Sequence, residues 1–254
     1  MSHIVVGSGR AGVGVTTVAA LVAGAAARRG GSDVVVVDLA GNGGLAPLLG
    51  RYAPTVRTLQ DTADARMSTG NVRLDLDAVA EGLVSDSLLR IRALLAAQGR
   101  LNPHHLDVAL QAVEVLREAG CHVVIDLGAS IDRDEPYVRT LLRSAESVVL
   151  VTTLAAPSVF ATGRLAERLV EETRVFPDRL RLVVSHALRG TGMTAELVAE
   201  SVPAATLLGA VPLASREVLD AVNRAALGVL LVHPVLGPAF GTLAQELFPV
   251  AAPS

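Results

Sequence analysis

The chain has 254 residues, 51% of them hydrophobic and 19% charged, with a formal net charge of -3. That balance excludes wholesale disorder and gives no global attraction to phosphate backbones or anionic lipid. An aromatic share of 2% without tryptophan argues against a nucleic-acid stacking platform, and the single cysteine, Cys121, excludes an internal disulfide and a thiolate metal centre within one chain, which fits a reducing cytoplasm. All 22 basic residues are arginine, so chemistry that needs a lysine ammonium is absent.

In chain order, Ile4 to Val6 read as a short buried strand, Gly7 to Gly14 as a glycine-rich turn, and Val15 to Arg29 as an alanine-rich helix stopped by Gly30-Gly31. Val34 to Val37 form a β-branched run of the kind buried on both faces of a parallel sheet, and it ends in Asp38. Residues 51–100 are less regular, with short helices and one strand near Leu89 to Leu94. Beyond them come a helix from His104 to Ala119, a strand from Cys121 to Ile125 closing on Asp126, a strand from Ser147 to Val151 and a helix from Pro157 to Glu172. Leu180 to Val184 and Thr206 to Ala210 are further strands, with helices from Ser215 to Ala226 and from Pro238 to Phe248. Strands alternating with helices predict an α/β fold, a mostly parallel sheet with helices on both faces, as one domain over residues 1–254.

Two phosphate-binding patterns overlap in the first turn. Gly7-Ser8-Gly9-Arg10-Ala11-Gly12 matches G-x-G-x-x-G, the dinucleotide fingerprint, with Asp38 ending the next strand. Gly9 to Thr16 matches G-x-x-x-x-G-K-T everywhere except at the lysine, which is Val15. Both use glycines to bring backbone N–H groups onto an anion at a helix N-terminus. In the first reading Gly7, Gly9 and Gly12 take the pyrophosphate of NAD(P), Asp38 a ribose hydroxyl, and His186 is the available acid-base group of an oxidoreductase.

The rest of the chain favours the second pattern. Val34 to Gly50 (VVVVDLAGNGGLAPLLG), Val123 to Gly128 (VVIDLG) and Leu208-Gly209-Ala210-Val211-Pro212, taken in that order, resemble the MinD/ParA family of deviant-Walker P-loop ATPases. Leu88 to Ala97, before a proline-containing turn, is similar to the CpaE/TadZ branch, whose members position pilus and secretion machinery. The resemblance implies ATP and Mg²⁺ as cofactors, a phosphate cradle of Gly9, Arg10, Ala11, Gly12, Val13, Gly14, Val15, Thr16 and Thr17, and Mg²⁺ held by Thr16 and Asp126. It further implies a water oriented by Asp38 and a base bordered by Ser185, His186 and Pro212. A homodimer is implied as well, with protein partners in secretion, pilus or division machinery.

Departures from the family pattern set the expected chemistry. Where the family reads K-G-G-x-G-K-T-T, this chain reads Arg10-Ala11-Gly12-Val13-Gly14-Val15-Thr16-Thr17. Arg10 keeps a cation at the first lysine, while Val15 removes the one that bridges the β- and γ-phosphates. A hydrogen bond to a charged group contributes roughly 1.5–3 kcal/mol, so its loss predicts ATP binding weaker by about ten- to a hundredfold. Hydrolysis is predicted to be very slow or absent, since it depends on cations aimed at the transferring phosphoryl group. Ala40 stands where the family carries a second acidic residue, and Ser185-His186 where it carries Asn-Arg.

Plainer readings cover other features. Asp38 and Asp126 also suit turn caps at strand ends. His104-His105 suit a helix start, since adjacent residues do not share a helix face. Arg174, Arg179, Arg181 and Arg189 lie among Glu167, Glu171, Glu172 and Asp178, which reads as a solvated mixed-charge face. A DNA-partition role would need those arginines on one exposed patch. No basic residue follows Arg224, so a cationic membrane-binding helix is not expected at the C-terminal end. The favoured expectation is therefore a cytoplasmic localisation or assembly scaffold with a degenerate ATP site.

Overall fold

The computed structural model describes residues 2–41, 44–51, 57–69, 74–97, 99, 101–132, 135–187, 192–212, 215–224 and 226–249. At its centre lie apolar runs that are dry on both sides. Strand β1 (His3–Gly7) and strand β2 (Val34–Asp38) are buried at every position. Successive side chains alternate between two cores: Val5, Val35 and Val37 enter one, while Ile4, Val6, Val34 and Val36 enter the other. The two-residue period of a strand is why a continuous valine run is required here. Between these strands, helix α1 (Val15–Arg29) is buried from Val18 to Ala26, which accounts for its small, wholly apolar character. Gly24 permits close packing, since a Cβ there would lie 2.8 Å from a Leu89 methyl and 2.9 Å from a Leu231 methyl.

The irregular stretch holds α2 (Leu45–Leu48), α3 (Leu59–Thr69), α4 (Leu76–Glu81), β3 (Leu83–Asp86) and β4 (Ile91–Leu94). Instead of one strand over Leu89 to Leu94, an antiparallel hairpin pairs Leu83 with Leu94 and Asp86 with Ile91. Leu89 and Arg90 belong to its turn, where Asp86 Oδ1 accepts from Leu89 N at 2.7 Å. Helix α5 (Pro103–Glu118) begins with a reciprocal cap between Asn102 and His105. His104 Nε2 lies 3.1 Å from Ala63 O, so the histidine pair starts and anchors a helix. Among the described residues no cluster of three or more His, Cys, Asp or Glu forms a metal-binding group.

The remaining elements are β5 (His122–Gly128), α6 (Pro136–Ser144), β6 (Ser147–Thr152), α7 (Ala156–Glu171), β7 (Leu180–Ala187), α8 (Ala195–Glu200), β8 (Thr206–Pro212), α9 (Ser215–Asn223) and α10 (Leu236–Leu247). Helix α9 ends three residues before the expected Ala226, and a 3₁₀ stretch, Leu227–Val232, leads into α10, which starts at Leu236 rather than Pro238. Among the described residues no helix is long and apolar enough to cross a membrane.

These strands form one sheet in the order β3-β4-β2-β5-β1-β6-β7-β8. Every neighbouring pair is parallel except β3 with β4. Parallel order aligns the C-terminal ends of β1, β2, β5, β7 and β8 along one edge, where open α/β sheets bind ligands. The α1 side of the sheet is closed by α10, whose Phe240 is 1% exposed and is the largest fully buried side chain described. Phe240→Ala is expected to cost about 3–5 kcal/mol in urea unfolding through the cavity it leaves; a loss below about 1 kcal/mol would show that α10 does not seal this core.

Candidate functional site

The loop between β1 and α1 is held open by contacts on three sides. Ser8 N donates to Gly128 O at 3.0 Å, and Arg10 N donates to the Ser8 hydroxyl at 3.1 Å. The buried Ser185 hydroxyl lies 2.6 Å from Val13 O and 3.1 Å from Thr152 O, tying the loop to the ends of β6 and β7. Gly9 sits so close to α7 that a Cβ would come within 2.6 Å of Ala161 O. Gly12 and Gly14 have φ of 81° and 90°, the left-handed region that favours glycine. Gly14 caps α1 through its backbone, accepting from Val18 N at 2.9 Å, and no side chain caps the first turn. The N–H groups of that turn therefore have no side-chain acceptor.

Beneath the loop lies a cavity of about 450 Å³ lined by Ala11, Gly12, Gly14 to Thr17, Ala40 and Gly128 to Ser130. None of these residues is basic. Val15, at the lysine position, is 7% exposed and packs into the α1 core while still contributing to the cavity wall.

Two buried carboxylates lie at the ends of adjacent strands, Asp38 on β2 paired in register with Asp126 on β5. In each, Oδ1 caps a local turn: Asp38 Oδ1 accepts from Ala40 N at 3.1 Å, and Asp126 Oδ1 from Gly128 N at 2.9 Å. Each Oδ2 is buried and has no hydrogen-bond partner among the described residues. Burial, and then the charge of Asp126, push Asp38 up to about 7. Burial pushes Asp126 up to about 6 against the Thr16 hydroxyl and the Gly128 N–H. Turn capping thus uses one oxygen of each carboxylate and leaves two oxygens, with Thr16 alongside, as oxygen donors of the kind a hard divalent cation takes.

On the other side of α1 an apolar cavity of about 230 Å³ shares Gly14 and Thr17 with the first. Pro212, Val211, Leu219, Leu236 and Phe240 are among its walls, and His186 stands at its mouth. His186 is exposed and has φ of 53°, at a register shift between β7 and β8.

No protein-family model matches the chain, and no curated protein matches it. Solved structures do. A ParA family ATPase from Chlorobium tepidum aligns with a TM-score of 0.80 at 16% identity, over 97% of this chain and 99% of that one. A chain of the MinC:MinD cell division protein complex of Aquifex aeolicus aligns at 0.77 and 20% identity, over 100% of this chain and 98% of that one. The fold is that of the ParA and MinD ATPases. MinD of Pyrococcus horikoshii, complexed with Mg-ADP, shares it at 0.71 and 18% identity, over 99% of this chain and 97% of that one. Within the ParA/MinD fold, β1 lies between β5 and β6, whereas the dinucleotide-binding order 3-2-1-4-5-6 puts the first strand beside the second.

The ParA/MinD frame brings Gly12, Gly14, Val15, Thr16 and Thr17 around one cavity, and Ala11 with them. Arg10 points to solvent, and Val13 is buried with its carbonyl on Ser185. Ser185, His186 and Pro212 all line the second cavity, and the Ser185 hydroxyl also holds the Val13 and Thr152 carbonyls. Ser130, which sequence reasoning did not single out, completes the first cavity by donating to Ala40 O at 3.2 Å. The signal for it is its place four residues after Asp126, in the turn that Gly128 opens at φ 53°. Of the arginine group, Arg179 donates to the Leu142 and Arg143 carbonyls, and Arg189 lies outside the described residues.

The raised carboxylates have a definite sign. Between about pH 4 and 7 the folded chain holds protons that the unfolded chain has released, so this contribution to stability is full at acid pH and is lost as pH rises through about 6 and 7. Asp38→Asn, which keeps the turn acceptor and removes a buried charge, is expected to raise the melting temperature at pH 8 by on the order of 5 °C and to flatten its fall between pH 4 and 8. Circular dichroism melts check this; an unchanged pH profile would show that the pair is not a source of instability.

Proposed function

We propose that this chain is a ParA/MinD-fold scaffold that binds ATP weakly and hydrolyses it very slowly or not at all. The observation that carries the reading is the loop cavity, whose lining holds the glycine-rich cradle and, among the described residues, no basic side chain, while the buried Asp38 and Asp126 cap the turns at Ala40 and Gly128 in its wall. Loop amides and the N-terminal turn of α1 would take the phosphates. Thr16 and Asp126 would hold Mg²⁺, and Asp38 would orient a water. When bound, Mg²⁺ would neutralise phosphate charge that Val15 leaves uncompensated. The donors fit that ion, since each carboxylate has an orphaned oxygen. Base contacts would fall to Ser185, His186 and Pro212 at the apolar cavity.

The rest of the reading rests on resemblance. In it the chain is one cytoplasmic domain that homodimerises, with Arg10 reaching the partner's nucleotide, and it serves secretion, pilus or division machinery in the manner of CpaE/TadZ proteins. The MinC:MinD complex supports a partner-binding role by analogy of fold.

Calorimetric titration tests the site. ATP with Mg²⁺ is expected to bind, chelation of the divalent cation to abolish binding, and Val15→Lys to tighten it by about ten- to a hundredfold. Turnover by the isolated chain should stay near background. Brisk hydrolysis, or tight NAD binding without ATP binding, would overturn the proposal.

A further inference from the structure

Away from the loop, the N-terminal ends of β2 and β4 border a further polar recess. It is a groove of about 720 Å³, larger than either cavity beside α1, and it shares no lining residue with them. Three arginines line it from separate stretches of chain: Arg51 after α2, Arg90 in the β3–β4 turn and Arg92 on β4. Arg51 donates from Nη2 to Ser85 O at 2.8 Å, and Arg92 from Nη2 to Asp33 Oδ2 at 2.7 Å. A guanidinium has five N–H donors, so these bonds orient the side chains and leave donors for a ligand. Arg90 is exposed, and its guanidinium has no hydrogen bond or ion pair among the described residues. Its backbone is left-handed at φ 61°, a conformation that arginine adopts only at a cost and that glycine takes freely.

We propose that this groove binds a small polyvalent oxyanion, a phosphate ester or a polycarboxylate, on Arg51, Arg90 and Arg92. The site is independent of the nucleotide reading above. Planar guanidinium forks match the paired oxygens of phosphate and carboxylate, and three of them around one recess suit an anion of more than one charge. The two acidic residues of the lining are already engaged, Asp33 with Arg92, and Asp86 through Oδ1 with Leu89 N at 2.7 Å. The Asp33 side chain is 74% exposed, so its pair with Arg92 is screened by water and an incoming oxyanion is able to share that cation. Buried Val34, Leu49 and Ile91 form an apolar wall beside the charges, which strengthens a polar contact made against it. Three cations against two carboxylates leave the groove locally positive in a chain of net charge -3. Strained backbone held at a cationic rim is the pattern of a position kept for a ligand rather than for the fold.

The experiment is calorimetric titration of the full chain, without divalent cation and at low salt, with pyrophosphate and with citrate, for the wild type, Arg90→Gly and Arg51→Gln. Glycine relieves the left-handed backbone, so Arg90→Gly is expected to melt within about 3 °C of the wild type. Its affinity is expected to fall about tenfold, as for the loss of one charge-assisted contact. Arg51→Gln removes the charge and should weaken binding to a similar degree. Binding of pyrophosphate alone assigns a phosphate ester, of citrate alone a polycarboxylate, and of both the shared oxyanion chemistry. Pyrophosphate also suits the loop amides, so the groove's share is the part of its binding that Arg90→Gly removes. Binding of neither anion with a Kd below about 10 mM, or undiminished binding in folded Arg90→Gly, would overturn the proposal. If Arg90→Gly does not fold, undiminished binding in Arg51→Gln overturns it in the same way.

Discussion

Two carboxylates buried side by side at the ends of adjacent strands are the constraint on which the rest of this molecule turns. Asp38 and Asp126 are each fully buried, in register on adjacent strands, with one oxygen each unpaired. Removing such groups from water is costly, and proteins meet the cost with a proton, a partner or a metal. In this chain the first answer is visible, since both groups are pushed up towards neutrality. A cation entering the cavity would supply another. Occupancy of the site is therefore linked to the stability of the sheet centre as well as to whatever chemistry the loop retains.

The loop itself is not a relaxed connection. Gly12 and Gly14 hold left-handed backbone, Gly9 touches α7 at a distance that excludes any side chain, and the Ser185 hydroxyl pins Val13 from across the sheet. Val15 fits this frame because its methyl groups join the apolar cluster that already encloses α1. The valine thus adds a little core and removes a charge while leaving the backbone cradle in its open form.

Much of this was legible in the residues. Valine runs without polar alternation announced strands buried on both faces, and acidic residues closing two of them marked the edge where a site lies. Glycine spacing located the cradle, but two overlapping patterns at Gly7 to Thr16 left its ligand undecided. Sheet order decides the topology, and order comes from long-range pairing that local spacing does not encode. For the same reason the β3–β4 hairpin was hidden: Leu83–Asp86 is a short, half-polar edge strand whose register depends on β4 and a single aspartate-capped turn. Helices α6 and α8 escaped because each is short, although α6 buries Val138, Leu141 and Leu142 at helical spacing. Ser185 is the instructive case. Its position beside a base-binding motif suggests a ligand contact, and it does line the apolar cavity with His186, but its hydroxyl also holds the Val13 and Thr152 carbonyls, long-range contacts that local spacing does not encode.

Strain and burial together favour a site kept for a ligand over a vestige. A loop with no anion to hold would be more stable if it collapsed onto α1, filled the 450 Å³ cavity and satisfied its own amides. Two isolated aspartates at the sheet centre would be more stable as asparagine or as apolar residues. Left-handed backbone at His186 adds a further local penalty of the order of 1 kcal/mol. Such features cluster where a protein binds something, and here they converge on one edge of one sheet. In the proposed reading, the charge that Val15 leaves out is the departure that bears most directly on phosphoryl transfer. Binding would tolerate that loss because many amides would share the phosphate, while transfer would not, because the charge is needed most where the transition state gathers it.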